Sequence, residues 1–521
     1  MIKFLLICQG SSMAEQGFHK SEVVSPTLTP DTKMKFPPKF WEIILLFFTF
    51  LFFLFFSNRG LVVGDEGYIL EAARRFSQGQ VPYRDFSLIY TPGIVYLLGC
   101  LFIIFGKSIL LGRMLMVLVG VLISFLFIRI TKQLASFPFY LVPSFLFIFW
   151  GIPQLNFPWP TWFCFLLNLC SLLAFLSFFK TKKMARVFLA AFFASLVFLF
   201  KQTFGLASIV ALISSFILFG WKKPYPKNFL ILTGGLALPI LVTTIMLTAQ
   251  NSFSQAFQAT FLDLLRFGKE GFMKTGFPFP NFISLDSIGK TGFYWLPPTW
   301  FFFFFLSLFL KPKLKSKKIL ASFIYLLFFY LAGLQPTIDL LHAGLIFPTF
   351  FPILAVLIPK TKNLPAKIPY LILIFLIVFL GTYKLLFKNY AGFESPYLYQ
   401  IKPINVFGQT LYVDSRAITL IKVNAYVRQH TKPGEKIFVY YYGPMIYFLS
   451  ERDNATRFTA ASAGALTPNQ QTEVINNLKE VRLVVLQSVL DSSDPTLVYD
   501  YLISEFAFAR EIGDYQVRKK L

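Results

Sequence analysis

Charge is scarce in this chain. Asp, Glu, Lys and Arg make up 14% of its 521 residues, against roughly a quarter in typical soluble domains. Histidine is almost missing, with only His19, His342 and His430, and the cysteines are Cys8, Cys100, Cys164 and Cys170. The last three fall in apolar runs and none lies in the polar C-terminal region, so neither a disulfide framework nor a metal motif by spacing is indicated. No glycine-rich phosphate loop, P-loop or catalytic-triad signature occurs. Residues 1–12 (MIKFLLICQGSS) are too short to span a bilayer and lack the cleavage site of a signal peptide; Met1 and Met13 are both candidate starts.

What is abundant is apolar surface. Hydrophobic residues make up 56% of the chain and aromatics 19%, with 68 Phe, and the mean hydropathy is +0.62. A soluble protein of this length has no way to bury that much. Apolar runs occupy 41–57, 91–105, 109–128, 137–150, 161–179, 184–200, 203–220, 228–248, 292–310, 319–334, 343–359 and 368–386, many of them near the ~20 residues a spanning helix needs. The formal charge of +24 argues against nucleic acid, because the Lys and Arg gather in short loops between these runs. The loops at 33–39, 129–132, 180–183, 222–227, 311–318 and 360–367 carry the bias of cytoplasmic segments.

Two cytoplasmic loops must be separated by an even number of crossings. From 129–132 onward the runs obey this; between 33–39 and 129–132 there are three. The run 91–105, short and opened by Pro92 and Gly93, is the one expected not to cross, lying as a juxtamembrane helix on the outer surface. The expected fold is a polytopic α-helical membrane protein of about eleven spans plus juxtamembrane helices. Its cytoplasmic N-terminal tail is 1–40, its membrane domain 41–389, and an extracytoplasmic α/β domain occupies 390–521. That last region alternates helical stretches with short apolar strands at 436–442 and 482–487. Lys384 and Lys388 fall on the outer side against the bias.

The same parity puts several polar groups on the outer face. In "GDEGYILEAARRFSQG", Asp65 suits a helix N-cap and Glu66 the first turn, while Tyr68, Ala72 and Phe76 form one apolar stripe. The plain reading is a capped interfacial helix; the functional one makes Asp65 a general base at a cavity mouth. In "PYRDF" (82–86), Arg84 and Asp85 either pair across a turn or offer a phosphate the planar guanidinium fork. Lys201 and Gln202 interrupt two apolar runs; the lysine either snorkels to headgroups or stabilises a leaving phosphate. Asp339 and His342 share a helix face at i, i+3, a weak metal-ligand set. The stretch 255–274 is basic and amphipathic, suited to headgroups or to a lipid-linked phosphate.

The stretch from "GDEGYILEAARRFSQGQVPYRDF" to "TPGIVYLLGCLFIIFGKSILLGRMLMVLVGVL" resembles the N-terminal part of the GT-C superfamily, polytopic glycosyltransferases that use polyprenyl-phosphate-linked sugars. The nearest types are protein O-mannosyltransferases and aminoarabinose–lipid A transferases. The features carrying the resemblance are Asp65-Glu66, the Phe105-Gly106 turn and Arg113 opening the next span, with "KQTFG" and "PTIDLLH" as later signposts. Many relatives carry an acidic-basic pair before the proline that opens the second juxtamembrane helix; this chain has Tyr90-Thr91 before Pro92, with Arg84-Asp85 as the candidate substitute.

The resemblance implies a bacterial inner-membrane enzyme that moves a sugar from a polyprenyl-phosphate donor to an envelope glycolipid, glycan or protein. Asp65 would be the base, with Glu66 orienting it or holding a cation. Tyr83, Arg84, Asp85, Lys201, Gln202, Asp339 and His342 would surround the phosphate and substrates. No protein-bound metal is assigned, although a divalent cation as cofactor stays open. The alternative is a transporter or lipid flippase, which would place charges mid-membrane; no such row of charges is present within the runs. The sidedness is directly testable. A cysteine placed in the 58–90 loop is expected to react with an impermeant maleimide from outside the cell, and one placed in 180–183 only after permeabilisation.

Overall fold

The structure is a computed structural model and describes residues 37–220, 226–263, 279–280, 283–310, 312–334, 340–358, 365–387, 397–440, 442–460, 467–487 and 496–521. Among these residues, seven helices are long and apolar enough to cross a membrane: Pro38–Ser57, Ile109–Thr131, Pro160–Thr181, Gln202–Gly220, Asn228–Ala249, Ser287–Leu310 and Ile368–Phe387. Shorter apolar helices cover Gly93–Phe105, Phe139–Gln154, Met184–Leu199 and His342–Leu357, and a further helix spans Lys317–Gly333. Each apolar run of the sequence thus coincides with a helix. The chain is a multi-pass membrane protein, consistent with outward-facing Phe and Leu side chains such as Phe47, Phe55 and Leu118, whose exposure is costly only in water.

The first four long helices are α1 (Pro38–Ser57), α2 (Asp65–Ser77), α3 (Gly93–Phe105) and α4 (Ile109–Thr131). α4 begins with Ser108 as a true N-cap, its side chain accepting from the Leu111 amide. In α2 the cap is displaced by one residue from the expectation. Gly64 holds the N-cap position with no side-chain bond, and Asp65 is the first helical residue. Nor is α2 an interfacial helix with a wet face, since every residue from Asp65 to Arg75 is buried. Of the basic stretch 255–274, residues 253–262 are helical, and 264–278 lie outside the described residues.

The reason for that burial is the C-terminal region, which covers α2. A hairpin of β1 (Lys402–Val406) and β2 (Gln409–Val413) comes first, turning at Phe407 and Gly408, both at positive φ. It was not legible as strands, and it pairs with the chain after α1 through Gly60 N to Tyr412 O and Tyr412 N to Asn58 O, each 2.9 Å. Next comes a five-stranded sheet: β3 (Lys436–Tyr440), β4 (Asp453–Asn454), β5 (Leu483–Gln487), β6 (Phe506–Ile512) and β7 (Tyr515–Lys520), in the order β4-β3-β5-β7-β6. β3 runs parallel to β4 and β5, and β7 antiparallel to β5 and β6. Period-two alternation splits its side chains. Ile437, Val439, Leu483 and Val485 join the hydrophobic core shared with the membrane helices, whereas Phe438, Tyr440, Val484 and Leu486 pack with Val474, Leu478 and Val498 on the far side.

The two glycines that flank Asp65-Glu66 explain how the sheet region comes so close. A β-carbon at Gly64 would stand 2.4 Å from the Tyr442 ring, and one at Gly67 would stand 2.4 Å from the Met445 backbone nitrogen. Met445 N also donates to Val63 O at 3.3 Å. Further along α2, Arg74 reaches Arg452 O at 3.3 Å and Arg75 reaches Thr456 O at 3.4 Å. A Gly67→Leu variant is expected to force this interface apart. Limited proteolysis should then cleave the 400–521 region while the helical bundle stays resistant.

Candidate active site

The site starts with a buried ion pair. Glu66 and Arg113 are both fully buried and meet bidentately, Nε to Oε1 at 2.8 Å and Nη2 to Oε2 at 2.7 Å. The Arg113 guanidinium also donates to the carbonyls of Ser57, Arg59 and Gly60 at 3.2, 2.9 and 2.9 Å, and Glu66 accepts from the Val62 amide. The cation that Glu66 holds is therefore Arg113. The pair ties the N-terminus of α2 to α4 and to the chain leaving α1, which fixes the position of the neighbouring Asp65.

Asp65 is 7% exposed. Its Oδ1 accepts a 2.7 Å hydrogen bond from the Tyr442 hydroxyl, delivered by the loop after β3. Burial and the nearby carboxylate push the Tyr442 phenol well above its ordinary pKa, so it stays a donor. Sequence reasoning missed Tyr442; the only hint was the run Tyr440-Tyr441-Tyr442 ahead of Gly443-Pro444.

Tyr90 is the hub that joins the remaining groups. Its ring lies edge-on to Tyr68 of α2 at 6.3 Å and to Trp159 at 5.7 Å. The ammonium of Lys201, a residue only 6% exposed, lies 5.6 Å from the centre of that ring and 5.3 Å from Phe204, within cation–π range. The Tyr83 hydroxyl donates to Tyr90 O at 2.5 Å, and burial raises its pKa well above the usual value. Tyr83 itself takes a positive φ of 68°, in the tight turn closed by its amide on Phe86 O. Lys201 sits in extended backbone at the start of helix Gln202–Ser215, where the amides leave partial positive charge.

Two buried oxygens beside this hub have no hydrogen-bond partner: Thr91 Oγ1 and Gln202 Oε1. Gln202 Nε2 is used, donating to Thr260 O at 2.9 Å. Thr91, Tyr83 and Thr260 line a cavity of about 220 Å³ whose other walls include Leu199, Phe198 and Phe257. Arg84 and Asp85 stand at the surface in a bidentate pair of two 2.9 Å bonds. The Arg84 bond and the Val81 amide hold the Asp85 carboxyl below its usual range, and Arg84 reaches Gln250 O at 3.5 Å. His342 is half-buried on helix Leu340–Ile346, and Asp339 lies outside the described residues. The structure thus brings Asp65, Glu66, Tyr83 and Lys201 into one assembly, with Gln202 at its wall and Arg84-Asp85 at its edge. Among the described residues no three His, Cys, Asp or Glu side chains come together as a cation site.

No family model and no curated protein matches the chain. A solved structure does: the crystal structure of ArnT from Cupriavidus metallidurans bound to undecaprenyl phosphate, at 11% identity over 93% of this chain and 98% of that one, with a TM-score of 0.50. The chain has an ArnT-like fold. The arabinofuranosyltransferase AftD from Mycobacteria is similar at 10% identity and a TM-score of 0.49, over 92% of this chain and 40% of that one.

Truncating Glu66 to Ala should take the bidentate carboxylate from the buried Arg113, a loss of about 3–5 kcal/mol. Thermal unfolding in detergent measures it, and adding Arg113→Ala should cost less than the sum of the two single changes.

Proposed function

We propose that this chain is an integral membrane glycosyltransferase. It moves a sugar from a polyprenyl-phosphate donor to an envelope acceptor (glycolipid, glycan or protein) on the extracytoplasmic face of a bacterial inner membrane, with about eleven spans. In this reading 1–40 is a cytoplasmic tail, 41–389 the catalytic membrane domain and 390–521 an extracytoplasmic α/β domain. The observation that carries it is a connected set of buried groups: Tyr442 bonds the Asp65 carboxylate and lies within electrostatic reach of Tyr90, whose ring carries the Lys201 ammonium. The two groups match the two charges the reaction must manage, and the ArnT-like fold supports the same assignment.

A polyprenyl-phosphate sugar stays in the bilayer, so its headgroup is met at the interface. Asp65 takes the proton of the acceptor hydroxyl, and the freed oxygen attacks C1 of the sugar from the face opposite the phosphate. The C1–O bond to phosphate breaks as the new glycosidic bond forms, which inverts the anomeric centre. Lys201 balances the charge gathering on the departing phosphate, in a site dry enough for that contact to count. Thr91 Oγ1 and Gln202 Oε1, buried without partners, are polar points for the donor headgroup, and Tyr83 lines the same cavity as Thr91. Arg84 and Asp85, at the surface, are assigned to the entrance used by lipid-linked substrates, and Asp339 and His342 are assigned to substrate binding on the sequence resemblance alone. Tyr442 holds Asp65 in place.

The test uses membranes and a radiolabelled polyprenyl-phosphate sugar. Wild type is expected to transfer label to a membrane acceptor. Asp65→Asn should insert and unfold like wild type yet lose about a hundredfold or more in rate. Tyr442→Phe removes the hydroxyl that holds Asp65 Oδ1 and should lower kcat about tenfold with KM little changed, measured by the same transfer assay. An active Asp65→Asn enzyme would remove Asp65 from the base role.

A further inference from the structure

The helical bundle has a second concave feature, at the end of α1 remote from Asp65. A groove of about 660 Å³ runs between the first half of α1, the 138–145 segment and the first half of helix Ile368–Phe387. Its walls are apolar throughout, with Trp41, Leu45 and Phe48 on one side, Phe145 on the floor, and Ile372 and Phe375 opposite.

The groove exists because the helices splay. Toward Asp65 they are tied together. Phe52 and Phe53 of α1 pack edge-on to Phe149 and Phe147 at 5.8 and 5.9 Å. Trp150 Nε1 donates to Ile377 O at 2.6 Å, and Gln154 Nε2 to Gly381 O at 3.1 Å. Toward the start of α1 the ties lie at the rim, where Glu42 meets Lys132 and Tyr140, and the groove opens between them and the ties nearer Asp65. It extends from Trp41 to Phe48, a rise of about 10 Å, within the roughly 15 Å depth of one leaflet.

Its rim is charged. The Lys132 ammonium pairs with Glu42 at 2.6 Å, and the Tyr140 hydroxyl donates to the same carboxylate oxygen at 2.6 Å. The Lys367 ammonium stands 5.3 Å from the centre of the Phe139 ring, a groove wall, and Arg129 lies one turn before Lys132 on α4. Three cations against one carboxylate leave the mouth net positive. Trp41 sits at that same level, where tryptophan marks a membrane–water interface.

We propose that this groove is a binding site for one anionic glycerophospholipid of the leaflet opposite Asp65, with an acyl chain along the apolar walls and the phosphate against Lys132 and Lys367. A purely annular contact would be indifferent to headgroup charge, whereas each rim cation favours an anionic lipid by about 1 kcal/mol. The tail of a polyprenyl phosphate is the other source of a long apolar chain, and the experiment separates the two.

Full-length protein, delipidated in detergent, is titrated with phosphatidylglycerol, with phosphatidylcholine of the same acyl chains, and with a polyprenyl phosphate, and bound lipid is counted by native mass spectrometry. One phosphatidylglycerol per chain should be retained in preference to phosphatidylcholine. Lys367→Gln should reduce that preference about fivefold. Ile372→Trp, at a position 54% exposed on the groove wall, should abolish the discrete binding while leaving the unfolding temperature unchanged. Equal retention of the two phospholipids, or an undiminished preference in Lys367→Gln, would overturn the proposal. So would displacement of phosphatidylglycerol by the polyprenyl phosphate, which would assign the groove to the donor.

Discussion

The rest of this structure depends on one ion pair that has no contact with water. Removing Glu66 and Arg113 from solvent carries a large desolvation cost, offset only because every donor of the guanidinium fork that the geometry shows finds an oxygen: two on the carboxylate and three on the carbonyls of residues 57, 59 and 60. Such a pair adds little net stability compared with a hydrophobic substitute. What it does is fix geometry, because a bidentate fork tolerates little rotation. Here it welds the end of α1, the start of α2 and the first turns of α4 into one junction, and Asp65 is the next residue along from that weld.

From there the arrangement radiates outward through aromatic rings. Tyr68 carries the position of α2 to Tyr90, Tyr90 carries it to Lys201, and Tyr83 closes the loop back on Tyr90. Rings suit this work because two torsions fix a large rigid surface, so each carries the position of one element to the next. The C-terminal sheet region completes the enclosure. Its Tyr442 and Met445 occupy the space that glycine leaves at 64 and 67, so the "GDEG" stretch makes sense as a carboxylate pair framed by two points of close approach.

Much of this was legible in the sequence, and the reason differs by feature. The helices were visible because long Phe- and Leu-rich runs have one stable solution in lipid, and the odd run 91–105 stood out by charge parity. Asp65 was visible because a carboxylate after an apolar run at a helix start is uncommon. What escaped was everything set by distant partners. Glu66 looked like a companion to Asp65, since its real partner is 47 positions away. Arg113 was a family signpost with no assigned contact. Tyr442 was invisible, lying 377 residues from the carboxylate it touches. The β1–β2 hairpin was passed over because its pairing surface is the chain after α1, and no local pattern announces that.

The merging of the sheet's inner face with the membrane core has a consequence for how the molecule is made. Asp65 is synthesised early and Tyr442 late, and the hydrogen bond between them requires that the segment after β3 has been made and docked against α2. Enclosure of the first carboxylates is thus coupled to a segment made hundreds of residues later.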